Sequence, residues 1–134
     1  MTLIIGYGNP LRQDDGIGYL AALRAGGLAV HQLTPELAEP ISRADLVIFI
    51  DADRDLPPGA VTQTELFPAA DAAPFTHHVS PETLLALAHS LYGRAPQARM
   101  IHAGGEWYGL GDELSPGAAA ALDRILDLVR DLAD

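Results

Sequence analysis

The sequence contains no cysteine. That excludes disulfides, a thiolate nucleophile, iron–sulfur clusters and thiolate zinc sites. Positive charge is scarce: Lys and Arg number 8 against 18 Asp and Glu, for a net charge of −10. Phosphate backbones are bound by clustered cations, so no nucleic-acid partner is expected. An acidic surface suits a cation or a basic polypeptide, or serves solubility alone. No apolar run reaches the ~18 residues of a membrane span. The opening "MTLIIGYG" lacks the charged region and long apolar region of a signal peptide. A cytoplasmic protein with no membrane partner is expected. No internal repeat or low-complexity tract is visible.

What is present is apolar content, 49% of 134 residues, sufficient for one domain over 1–134 with a proper core. Short apolar runs alternate with segments of helical spacing. Strands are predicted at 3–5, 28–33, 45–52, 60–66 and 98–103. The run "DLVIFIDA" alternates too little to have one wet face, so it reads as a central strand covered on both sides. Helices are predicted from Ile17, closed by Gly26 and Gly27, and after Thr34-Pro35, Ser80-Pro81 and Ser115-Pro116, where a hydroxyl cap precedes a proline. The stretch 67–78 reads as a loop. Strand–helix alternation predicts a single three-layer α/β/α sandwich with a largely parallel sheet. Sites in such sheets form beyond the carboxyl ends of the strands.

The first such end is "GYGNPLRQDDG", residues 6–16. A dinucleotide fingerprint fails there: its third glycine falls on Leu11, and no acidic ribose partner closes the second strand. A P-loop fails too, and two carboxylates at a helix start repel phosphate. One of Asp14 and Asp15 is explained by helix-start capping. The other is free to face the cleft. Asp51 ends the central strand, where strand-end solvation competes with function as its explanation. His77 and His78 form an adjacent pair in a loop, and imidazole is the commonest metal-binding side chain. His31, His89 and His102 read as structural. Trp107 and Tyr108 read as packing aromatics, with a peptide groove as the other reading.

Taken together, these stretches resemble the hydrogenase maturation endopeptidases. That family opens with a strand, Gly-x-Gly-Asn, a spacer and Asp-Asp/Glu-x-x-Gly, matched here by "LIIGYGNPLRQDDGIG". Its next landmarks are a strand ending in Asp-Ala, here "LVIFIDA", and Thr/Ser-His before a Leu- and Ala-rich helix, here "THHVSPETLLALA". The resemblance departs after the second strand, where a glycine-bearing turn is replaced by "HQLTPELAE". It implies an α/β protease that removes the C-terminal extension of a nickel–iron hydrogenase large-subunit precursor after nickel insertion. The alternative is a non-catalytic nickel-binding or assembly module of the same fold. Asp15, Asp51 and His77 would be the catalytic and nickel-binding residues, with His78 as the other imidazole. The cation would be Ni²⁺, carried by the substrate or bound directly, or another divalent ion. Gly6, Gly8, Asn9, Asp14 and Gly16 would shape the turn that presents Asp15, with Asp14 as the helix-start cap. Two carboxylates and an imidazole form a donor set suited to a borderline divalent cation. With no serine triad visible, a metal-polarised carbonyl or metal-activated water is the hydrolytic route the residues leave.

Overall fold

The computed structural model describes residues 1–70 and 79–134. Five strands, β1 (Thr2–Tyr7), β2 (Leu28–Val30), β3 (Leu46–Asp53), β4 (Val61–Leu66) and β5 (Gln97–Gly104), form one sheet in the order β2-β1-β3-β5-β4. All neighbouring pairs are parallel except β4 with β5, which is antiparallel at the edge. The helices are α1 (Ile17–Ala25), α2 (Ala38–Arg43), α3 (Pro81–Tyr92) and α4 (Pro116–Ala133).

Alternate side chains of the sheet feed two cores. Ile5, Val47, Phe49, Ala98 and Met100 pack with Ile41 of α2 and with Leu84, Leu85 and Ala88 of α3. Ile48, Ile50, Ile101 and Ala103 pack with Ile17 and Ala21 of α1 and with Ala121, Leu122 and Ile125 of α4. Residues Val47 to Ile50 have no exposed surface, as a central strand with helices on both faces requires. Each such side chain withdrawn from water stabilises the fold by roughly 1.5–3 kcal/mol.

Ser80 and Ser115 cap α3 and α4 as predicted, accepting from the backbone N–H of Thr83 and Ala118. Thr34 does not cap with its side chain; the segment opens as a 3-10 turn over Pro35–Leu37 before α2. The second strand stops at Val30, shorter than the predicted 28–33. Among the described residues no helix is long and apolar enough to cross a membrane.

Close backbone approach sets α1 against the sheet. A Cβ on Gly6 would overlap the carbonyl oxygen of Gly18, and a Cβ on Gly18 would overlap that of Ile50. Only glycine lets the helix come this near β1 and β3, and so holds the turn before α1 directly above the strand ends.

Candidate active site

The turn between β1 and α1 is built as a fixed shape. Gly8 has φ +136°, and a Cβ there would collide with the carbonyl oxygen of Asp15, so both its angle and its space require glycine. Asn9 Oδ1 accepts from the N–H of Leu11 at 2.9 Å, the side-chain tie expected of asparagine in a turn. The N–H of Asn9 in turn donates to Asp15 Oδ2 at 2.9 Å, aiming that carboxylate back across the turn. Gly6 has no positive φ; its requirement is the close approach of α1. Gly16 sits against Pro10, where a side chain would not fit.

Asp14 does not cap its own helix, contrary to the sequence-based expectation. It is fully buried and reaches across to the loop after β5. Its Oδ2 accepts from the N–H of Glu106 (2.7 Å), the N–H of Trp107 (2.9 Å) and the hydroxyl of Ser115 (2.6 Å). Its Oδ1 accepts from the N–H of Ser115 at 2.8 Å. Burial pushes this carboxyl upward, but the donors from Glu106, Ser115 and Trp107 outweigh it and hold the group below the usual carboxylate range. Asp14 therefore pins the β1–α1 turn to the amino end of α4.

Asp51 is in the opposite situation. Its Oδ1 accepts from the N–H of Ala52 at 2.8 Å. Burial, reinforced by the charges of Asp15 and Asp53, pushes it up to about 7 against the opposing N–H of Ala52 and the Tyr7 hydroxyl. Tyr7 ends β1 beside it, and its own hydroxyl is pushed upward by burial and by the charges of Asp51 and Glu82. Among the described residues neither Asp15 nor Asp51 is in an ion pair. Two mutually repelling carboxylates with no counter-cation among the described residues make an environment that a divalent ion would relieve.

His77 and His78 lie outside the described residues. The chain on either side of them meets at the start of α3, where Ala69 donates to the carbonyl of Glu82 at 3.0 Å. Val79 packs into the core shared by α2 and α3. Among the described residues, no three His, Asp or Glu side chains gather closely enough to hold a metal.

Sheet register adds a residue that the sequence reading set aside. His102 pairs directly with Asp51 across the parallel β3–β5 ladder. Ala98 and Met100 on β5 face the same core as Phe49, so His102 and Asp51 share a face of the sheet. The sequence carried one usable signal: both residues end an apolar strand. Which two strands are neighbours is a property of topology. His31, by contrast, is exposed and meets the Tyr19 ring edge-on at 5.5 Å.

The aromatics after β5 divide. Trp107 is 39% exposed, so packing does not account for it. Tyr108 is half-buried, with the Arg54 guanidinium 3.9 Å from its ring centroid, a cation–π stack.

No family model matches the sequence, and no curated protein does. Solved structures do match. The [NiFe] hydrogenase maturation protease HycI from Thermococcus kodakarensis KOD1 aligns with a TM-score of 0.74 at 22% identity, over 98% of this chain and 90% of that one. HybD from Thermococcus kodakarensis aligns with a TM-score of 0.70 at 24% identity, over 99% of both chains. The hydrogenase maturating endopeptidase HybD from E. coli aligns with a TM-score of 0.67 at 23% identity, over 98% of this chain and 90% of that one. The mostly parallel five-stranded sandwich described above is thus the fold of the hydrogenase maturation proteases.

Proposed function

We propose that this protein is a processing endopeptidase that removes the C-terminal extension of a nickel–iron hydrogenase large-subunit precursor in the cytoplasm. The observation that carries the reading is the pair Asp15 and Asp51. They come from the turn after β1 and from the end of β3, act on each other electrostatically, and have no cation partner among the described residues. They do so on a fold shared with known maturation proteases.

Asp15 and Asp51 would hold Ni²⁺ with His77, or with His78 in its place. The donor chemistry fits: carboxylate oxygens and an imidazole nitrogen suit a borderline divalent cation and leave positions open. Such an ion supplies Lewis-acid polarisation of the scissile carbonyl. The chain's own residues supply the frame. The Asn9 N–H orients Asp15, and the Ala52 N–H orients Asp51. Tyr7 packs against the core and its hydroxyl lies against Asp51.

The test is direct. The purified protein is incubated with a nickel-loaded large-subunit precursor, and the precursor mass is followed. Loss of the C-terminal extension is expected, and Asp51→Asn and His77→Ala should abolish it. A precursor of unchanged mass with the wild-type protein refutes the reading.

A further inference from the structure

Three large apolar side chains are exposed on the two segments that Asp14 joins: Leu110 at 80%, Leu11 at 63% and Trp107 at 39%. Single exposed leucines are ordinary on a protein surface. These are held on a fastened support. The N–H of Gly111 donates to the Leu11 carbonyl, that of Gln13 to the Gly111 carbonyl, and that of Asp14 to the Trp107 carbonyl, all at 2.9–3.0 Å. The N–H of Gly109 donates to Gln13 Oε1 at 3.0 Å. Gln13 adopts φ +55°, a left-handed conformation that side chains other than Asn and Asp seldom take. The backbone is thus held in costly geometry while its largest apolar side chains face water. The same segment runs on without interruption into Asp15.

We propose that Leu11, Trp107 and Leu110 form the docking surface for the precursor polypeptide, and that the docked segment is apolar and basic. This rests on the function proposed above and names how its substrate is held. Charge selects the occupant. Glu106, Asp112 and Glu113 are exposed on the same loop, against Arg12 on the facing segment. A second copy of this chain would bring another net charge of −10, and an anionic membrane surface would be repelled likewise. A polypeptide carrying Lys or Arg beside apolar side chains gains from both the rim and the centre. Tryptophan is among the residues in which interface hot spots are enriched, so Trp107 is the expected anchor of this surface.

Trp107 is the only tryptophan in the chain, so 5-fluorotryptophan labelling gives one ¹⁹F resonance that reports this surface alone. Unlabelled nickel-loaded precursor should shift and broaden it. Leu110→Asp should raise KM for the precursor at least ~10-fold with kcat and Tm unchanged, because Leu110 contributes nothing to the core. Combined Glu106→Gln, Asp112→Asn and Glu113→Gln should raise KM several-fold and weaken its salt dependence. Cleavage with an unmoved resonance and an unchanged KM in Leu110→Asp overturns the docking surface and leaves the protease reading intact. A resonance that moves with protein concentration alone identifies a second copy as occupant and also overturns it. Precursor neither bound nor cut overturns both.

Discussion

Asp14 and Asp51 stand at the same end of one sheet and have opposite environments. Asp14, in the region that ties the β1–α1 turn to α4, receives four hydrogen bonds and is held below the usual carboxylate range. Asp51, at the mouth facing α3, lies near Asp15 and is pushed up to about 7. A carboxylate whose lone pairs are filled by fixed donors is a structural fastener. One buried near a like charge is poised for a cation or a proton. The difference separates residues that build the site from residues that would act in it.

The comparison is most severely tested at the fastener. Asp14→Ala strips the partner from three backbone N–H groups and a hydroxyl. It is expected to cost ~3–5 kcal/mol, the scale of orphaning buried polar groups, measured by denaturant unfolding. Asp51→Asn should not lower stability, and near neutral pH should raise it, while weakening Ni²⁺ binding at least ~100-fold in calorimetry, an expectation resting on its proposed role as a direct ligand. A stability loss in Asp51→Asn equal to that in Asp14→Ala would erase the distinction.

The two groups also predict opposite pH dependence. In the unfolded chain an aspartate titrates near ~3.9. Folded Asp51 titrates at about 7, so between these values the folded state holds a proton that the unfolded state has lost. Its contribution to the stability of the metal-free protein should therefore fall as pH rises from ~4 to about 7. Asp14, held low, contributes stability that is present above ~4 and is lost as pH drops through its depressed value. Tm measured from pH 4.5 to 7.5 should decline with a slope that Asp51→Asn flattens. The smallest effect is expected at His102. His102→Gln should change Ni²⁺ affinity only a few-fold, since His102 adjoins Asp51 in the ladder but, among the described residues, belongs to no three-residue group that could hold a metal. A loss as large as that in His77→Ala would make His102 a ligand.

Local chemistry written along the chain was legible as sequence. The strands followed from apolar runs, α3 and α4 from Ser-Pro starts, and the Asn9 tie from turn chemistry, because each depends on neighbours a few residues away. The reading of Asp14 as a cap missed because its partners are 92 to 101 residues distant. His102 was missed because its place beside Asp51 depends on strand order. His77 and His78 lie outside the described residues, so their place in the site rests on the sequence resemblance.

The sequence by itself determined the layer architecture, the end of the sheet where a site would form, and the glycines that a tight turn demands. Periodicity, capping and backbone freedom act over one or two turns of chain and need no distant partner. Only the tertiary structure decided which carboxylate is a fastener and which is poised, because the ionisation of a buried group depends on the donors, charges and solvent around it. Folding brought those together from β1, β3 and the loop before α4.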